Sequence, residues 1–265
     1  MAKLRIAIHG AAGRMGQRLV ALGSSDAELQ IVAAVDSPNH PQSGQDAGVI
    51  AGVGAIGVPL GGRLDVTPDV VIDFSLPAAT EAITRTCVER NLPLVMATTG
   101  LSDAQQRMLR DAAKSIALLW SPSMSLTVNL AMKLTEIAGR ALADHPSGVD
   151  VEIIERHHRF KEDAPSGTAL RFGEIVAAGM GQKKHVHGRE GRPGQRPREE
   201  IGYHALRIGD NPGEHTVVFG LLGETLELTV RASNRDCYAH GAIAAAKFVA
   251  GKPPGMYGMG DVLGI

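Results

Sequence analysis

Short apolar runs alternate with helix-period patterns through the first half of the chain. Leu4-Arg5-Ile6-Ala7-Ile8-His9 predicts a buried strand that stops at Gly10, residues 13–22 a helix, and residues 29–35 a second strand ending at Asp36. Residues 70–74, 94–97 and 116–120 predict three more strands, with helices over 78–89 and from Ser102 onward, where Gln105 has capping-box spacing. Strands separated by helices in this way imply βαβ units, a parallel sheet and right-handed crossovers. The pattern changes at Leu126. A long amphipathic helix over 126–142 is followed by a strand over 151–155, a polar segment over 156–163 and a helix over 166–178. Three closely spaced strands, 201–207, 214–220 and 225–230, are joined by glycine-containing turns and are expected to be antiparallel. A last helix over 238–250 is expected to pack back on the first domain. The reading is an α/β protein, with a Rossmann-type parallel-sheet dinucleotide domain formed by 1–125 plus 237–265. A second α+β domain over 126–236 would serve substrate binding and oligomerisation.

Composition narrows the class. With 265 residues, 44% of them hydrophobic, the chain is large enough for two cores, and with only 3% aromatics those cores must be aliphatic. Few aromatics also means few stacking platforms for single-stranded nucleic acid. A net charge of −1 without a long basic run argues against nucleic-acid and membrane-surface partners. The basic stretch 183–198 is broken by Gly and Pro and is expected to be a solvated loop. No apolar run approaches the roughly 20 residues that span a bilayer, and no leader-cleavage pattern follows Met1, so a cytoplasmic protein is expected. Cys87 and Cys237 are far apart and form no CxxC pair. The pairs His157-His158 and His185-x-His187 invite a metal, but no HExxH or comparable spacing accompanies them, and no metal is expected.

Two segments carry candidate chemistry. Gly10-Ala11-Ala12-Gly13-Arg14-Met15-Gly16 lies between the first strand and the first helix. Small residues there let a pyrophosphate approach the backbone, and a helix N-terminus offers unpaired N–H groups and a favourable dipole. Asp36, 20 residues beyond Gly16, ends the second strand, where a carboxylate can accept hydrogen bonds from an adenosine ribose. Thr98-Thr99-Gly100 follows the fourth strand at the sheet's carboxyl edge, the ligand side of such folds. The second segment runs from Glu155 to Thr168. Pro165-Ser166-Gly167-Thr168 has the chemistry of a capped helix start, able to bind a carboxylate through Gly167 and Thr168. His157, His158 and Lys161 place two imidazoles and an ammonium within five residues of one another just upstream.

Glu155-Arg156-His157-His158 through Lys161, followed by Asp163-Ala164-Pro165-Ser166-Gly167-Thr168-Ala169, resembles the signature segment of the dihydrodipicolinate reductase (4-hydroxy-tetrahydrodipicolinate reductase) family. The loop ending Gly13-Arg14-Met15-Gly16, the Thr98-Thr99-Gly100 turn, Arg207-x-Gly209, Gly213-Glu214-His215 and Gly241-Ala242 are similar to that family's pattern as well. The resemblance implies an NAD(P)H-dependent reductase of lysine and diaminopimelate synthesis, acting on a small cyclic imine dicarboxylate as a homotetramer. It implies that His157 donates and accepts the catalytic proton and Lys161 donates one, with His158, Gly167 and Thr168 on the substrate carboxylates. The cofactor-binding set expected from the loop and the resemblance together is Gly10, Ala11, Ala12, Gly13, Arg14, Met15, Asp36, Ala97, Thr98, Thr99, Ser121, Pro122, Ser123 and Met124. Asp36 is followed by Ser37-Pro38, with no arginine directly beside it for a 2′-phosphate, although Arg14 and His40 are near. Use of both NADH and NADPH with a lean to NADH is therefore expected. The chain departs from the family at Ser123-Met124-Ser125-Leu126-Thr127, where Asn-Phe-Ser-x-Gly is usual, and at Val230, where a histidine often stands. A dinucleotide-binding sensor or low-activity divergent paralogue on the same fold is the alternative that the Ser123–Thr127 departure favours.

Overall fold

A computed structural model describes residues 2–265. Contacts divide the chain into two compact units: residues up to Leu126 together with Arg235–Ile265, and Thr127–Asn234.

The first unit is built on a seven-stranded sheet. Its strands are β1 (Leu4–His9), β2 (Leu29–Val35), β3 (Leu60–Gly61), β4 (Val70–Asp73), β5 (Leu94–Met96), β6 (Ala117–Trp120) and β12 (Gly255–Tyr257), in the order β12-β6-β5-β4-β1-β2-β3. Every pairing is parallel. Central strands of such a sheet are covered on both faces and read as continuous apolar runs, and all four residues of β4 are buried. Alternate residues feed two cores. Ile6, Ile8, Val70, Ile72 and Leu119 join Leu19 and Val20 of α1 (Arg14–Ser25) and Ala242, Ala246 and Val249 of α7 (Asp236–Val249). Ala7, Val71, Leu94 and Leu118 pack instead with Ile83 and Cys87 of α3 (Pro77–Glu89) and Leu109 of α4 (Asp103–Ala112). Each fully buried Leu or Ile contributes about 1.5–3 kcal/mol relative to exposure. The capping box opening α4 forms as its spacing predicts: Gln105 N–H donates to Ser102 Oγ, and Ser102 N–H to Gln105 Oε1. The short α2 (Ala47–Ile50), β3 and β12 carry too few residues for a periodicity to be legible.

The second unit has a five-stranded mixed sheet of order β11-β10-β7-β9-β8. Its strands are β7 (Asp150–His157), β8 (Lys184–His187), β9 (Glu200–Arg207), β10 (Glu214–Leu221) and β11 (Glu224–Arg231). One face, with Val151, Ile153, Ile201, Tyr203, Val217 and Phe219, packs against Val128 and Ala131 of α5 (Leu126–Leu142) and Phe172 and Val176 of α6 (Gly167–Met180).

Two expectations need correction here. β10 and β11 are antiparallel neighbours, but β9 pairs in parallel with β7, and β7 separates it from β10. Turn spacing reports only proximity along the chain. The connection over 208–213 crosses the end of β7, with Ile208 N–H donating to His157 O and Arg159 N–H to Gly209 O. A connection of that length covers the roughly 10 Å across an intervening strand. The stretch 183–198 is not simply a solvated loop either. Lys184–His187 forms a parallel edge strand on β9, and Arg189 and Arg196 both bond Glu152. Burial opposes ionisation of Glu152, but Arg189, Arg196 and His204 outweigh it and hold its pKa down to about 2.

Candidate functional site

In the first unit the candidate residues line the carboxyl ends of the parallel strands. Gly10 leaves β1 with φ of +79°, and a Cβ there would stand 2.5 Å from Phe74 O. A Cβ on Gly16 would stand 2.1 Å from Gly10 O, so the first turn of α1 lies directly on the loop. A Cβ on Gly13 would meet nothing nearer than Gly10 O at 3.2 Å, and Ala11 and Ala12 are buried. Gly13 caps α1 without a side-chain bond, and the first helical hydrogen bond runs from Gln17 N–H to Gly13 O. The amides of Arg14, Met15 and Gly16 precede that bond, as at any helix start. Asp36 closes the loop from beside it. Its Oδ2 accepts from Ala12 N–H at 2.9 Å and its Oδ1 from Ser37 N–H at 2.8 Å. Small side chains, open amides and an adjacent carboxylate fit a dinucleotide.

Other members of the cofactor set are placed less directly. Thr98 is buried, and its hydroxyl donates to Asp73 Oδ2 at 2.6 Å while accepting from Ser75 N–H. Asp73 is fully buried and also binds His9 Nδ1 at 2.5 Å. Thr98 therefore offers a ligand its backbone, whereas Thr99 beside it is exposed. Ala97 is buried at the end of β5. Ser121 Oγ donates to Ser123 O, Pro122 is exposed, and the Met124 side chain lies in the core.

In the second unit a contiguous segment is organised by one carboxylate. Glu155 and His157, two apart on β7, share the buried face of that strand. Nδ1–H of His157 donates to Glu155 Oε2 at 2.6 Å. Arg207, opposite His157 on β9, donates to both Glu155 oxygens at 2.8 Å, and Ser166 N–H donates to Oε1 at 3.0 Å. Burial disfavours ionisation of Glu155, but Arg207, His157 and the Ser166 amide outweigh it and hold its carboxyl below the usual range. Burial lowers the His157 pKa; Glu155 opposes that shift, and Lys161 and Arg207 add to it. His215 on β10 meets His157 edge-on at 5.1 Å between ring centroids and bonds Ser166 Oγ through Nε2 at 2.9 Å. Burial, reinforced by His157, pushes the His215 pKa down to about 4, so its ring is neutral.

Ser166 is the N-cap of α6, its hydroxyl accepting from Ala169 N–H. Gly167 and Thr168 follow at the first two helical positions, and a Cβ on Gly167 would meet nothing within 4 Å. Lys161 pairs with Asp163 at 2.8 Å. His158 Nδ1 is buried without a hydrogen-bond partner. An unpaired buried donor or acceptor costs about 1–3 kcal/mol. No group of three or more His, Cys, Asp or Glu side chains among the described residues could hold a metal.

Sequence profiles of one family cover almost the whole chain. That described as "Dihydrodipicolinate reductase, N-terminus" matches residues 4–124, and that described as "Dihydrodipicolinate reductase, C-terminus" matches 127–263. The chain belongs to the dihydrodipicolinate reductase family. A 4-hydroxy-tetrahydrodipicolinate reductase of Rhodopirellula baltica is 56% identical over 99% of this chain and 96% of its own. One of Alkalilimnicola ehrlichii is 50% identical over 98% and 99%. The fold is shared with the dipicolinate-bound dihydrodipicolinate reductase of Paenisporosarcina sp. TG-14, at a TM-score of 0.78 and 24% identity over 97% of each chain.

The sequence assigns roles to His157, His158, Lys161, Gly167 and Thr168, whereas Glu155, Arg207 and His215 stand in the family's pattern without a role. The i, i+2 spacing of Glu155 and His157 on a strand was a usable signal. Nothing local shows that Arg207 serves this site, which it reaches through the parallel β7–β9 register.

Proposed function

We propose that this chain reduces 4-hydroxy-tetrahydrodipicolinate (dihydrodipicolinate) to tetrahydrodipicolinate with NADH or NADPH, in the cytoplasm, as a step of lysine and diaminopimelate synthesis. The observation that carries this reading is the joining, through Glu155, of a proton-handling imidazole to an open helix start. An imine dicarboxylate needs both: amides and cations for its carboxylates, and a donor for the atom that becomes electron-rich on reduction. The bound nicotinamide supplies the hydride. Its dinucleotide would lie on Gly10, Ala11, Ala12, Gly13, Arg14 and Met15, with Asp36 on the adenosine ribose and the 97–99 and 121–124 segments toward the nicotinamide.

Gly167 and Thr168 amides, aided by the dipole of α6, would hold a substrate carboxylate, and the His158 ring would supply another polar contact. Lys161 then stands as a cation that offsets developing charge and delivers a proton once Asp163 releases it, and His157 handles the proton through Nε2. Steady-state oxidation of NADH and NADPH with enzymatically generated substrate tests the activity. Dinucleotide binding without turnover would instead support a sensor, the reading that Ser123–Thr127 favours. For the cofactor, NADPH affinity at least about tenfold above NADH would contradict the lean drawn from Asp36.

The remaining face of the five-stranded sheet presents exposed Ile154 and Leu206 beside Thr216 and Val218. Its outer strands β11 and β8 are edges, which natural proteins tend to cover. These features support a homotetramer assembled through this unit. Light scattering at micromolar concentration should give a tetrameric mass, and a monomer would sink the assignment.

A further inference from the structure

Glu155 is 1% exposed and accepts four hydrogen bonds, from His157 Nδ1, two Arg207 nitrogens and Ser166 N–H. Those donors come from β7, β9 and the cap of α6. The carboxylate thus ties a candidate acid–base group to the helix start whose amides would grip substrate. We propose that Glu155, held by Arg207, is the positioning residue of this site: it fixes the His157 tautomer and anchors the N-terminus of α6. The proposal rests on the roles given above to His157 and to the α6 start.

The chemistry follows from what each partner can do. An ionised carboxylate only accepts, so the His157 Nδ1 beside it must carry the proton, and the neutral ring keeps Nε2 as its acceptor. Arg207 occupies both carboxylate oxygens in a bidentate fork, which keeps Glu155 ionised despite burial and fixes its plane. It also satisfies much of the carboxylate's charge, so that Glu155 orients His157 without holding it as a permanent imidazolium; the net shift of the ring is downward. The guanidinium is fixed in turn, because Arg207 also donates to the Asp163 carbonyl, at the far end of the loop carrying Lys161. The Ser166 amide sets where α6 begins, and its hydroxyl, bonded to His215, cannot turn freely. Loss of the carboxylate would release the His157 tautomer and the start of α6 together. A residue serving stability alone would leave the tautomer where it was.

The test compares wild type with Glu155→Gln and Arg207→Lys. Nitrogen-15 NMR of the histidine rings reads the tautomer without turnover. Wild type should show neutral His157 protonated at Nδ1, and Glu155→Gln should move population to Nε2–H, because an amide can donate where the carboxylate could only accept. In steady-state assays Glu155→Gln should lower kcat by on the order of 10²-fold, the scale of losing a positioned general acid, and raise substrate KM. NADH dissociation should be unchanged. Arg207→Lys, which keeps the charge but loses the fork, should fall between the two. Wild-type His157 protonated at Nε2 overturns the proposal, and this reading holds even if Glu155→Gln does not fold. Unchanged kcat, KM and tautomer in the folded variants overturn it too. If wild type shows no reductase turnover, the function assigned above fails, while the NMR arm still decides whether Glu155 sets the tautomer.

Discussion

The two candidate sites are built from different materials. The glycine loop of the first unit is almost all backbone: its shape comes from the absence of side chains at Gly10, Gly13 and Gly16, and a single carboxylate, Asp36, closes it. The site in the second unit sets side chains around one helix start, with a buried carboxylate, a guanidinium, two imidazoles and a paired ammonium. A backbone cradle is rigid and indifferent to pH, and it suits a phosphate whose charge does not change during reaction. A cluster of titratable groups is sensitive to every substitution and to pH, and suits a step in which a proton moves. The same division tells where each site should break.

The largest effects should fall on the second unit, in turnover. Lys161→Ala should lower kcat by about 10²–10⁴-fold and His157→Ala by the same or somewhat less. His158→Ala should chiefly raise KM, because a carboxylate contact is shared by ground and transition states. NADH affinity, measured by fluorescence titration, should stay near wild type in all three. Near-normal kcat in Lys161→Ala would remove that residue from the chemistry, and loss of NADH binding in all three would make the segment structural.

Next in size is the pH dependence of stability. The folded His215 pKa lies near 4, against about 6.5 in an unfolded chain. Between those values the unfolded chain takes up a proton that the folded one refuses, so stability rises with pH. The contribution is complete above pH 6.5 and lost as pH falls toward 4, amounting to roughly 3 kcal/mol. Burial depresses His157 as well, so it acts in the same direction. Denaturant midpoints followed from pH 7.5 to 4 should fall, and His215→Asn should flatten that fall. An equal slope in the variant would show that His215 is not held neutral.

The smallest effects separate the two building materials directly. Gly16→Ala places a methyl 2.1 Å from Gly10 O, where backbone must move, and should cost about 1–3 kcal/mol together with NADH affinity. Gly167→Ala meets open space and should leave stability within about 0.5 kcal/mol while perturbing substrate KM. Equal stability losses in the two variants would erase the distinction.

What could be read from the sequence follows the same line. The strand–glycine–helix frame and Asp36 are legible because each signal is local: an apolar run, a turn that needs glycine, a helix start. The capping box at Ser102 is of the same kind. His157, His158, Lys161 and the Ser166 cap are legible because they lie within one segment. Arg207 and His215 are not, because they reach Glu155 and Ser166 through strand register across about 50 residues of chain. The pairing of β9 with β7 escaped for that reason too. Turn spacing suggested β10 as its neighbour, whereas the buried alternation of β7 makes that strand the centre of the sheet.

The return of the chain after the second unit has a consequence for synthesis. α7 supplies Ala239, Ala242, Ile243, Ala246 and Val249 to the core under Ile6 and Ile8, and β12 forms the sheet edge beside β6. On a ribosome, the first unit must therefore wait for Arg235–Ile265 to cover the part of its sheet that α1 leaves open, whereas Thr127–Asn234 is continuous and can fold as soon as it leaves the tunnel. Premature termination near Arg235 would strand a finished inner module on an unfinished outer one, a species whose uncovered apolar surface marks it for chaperones and proteases.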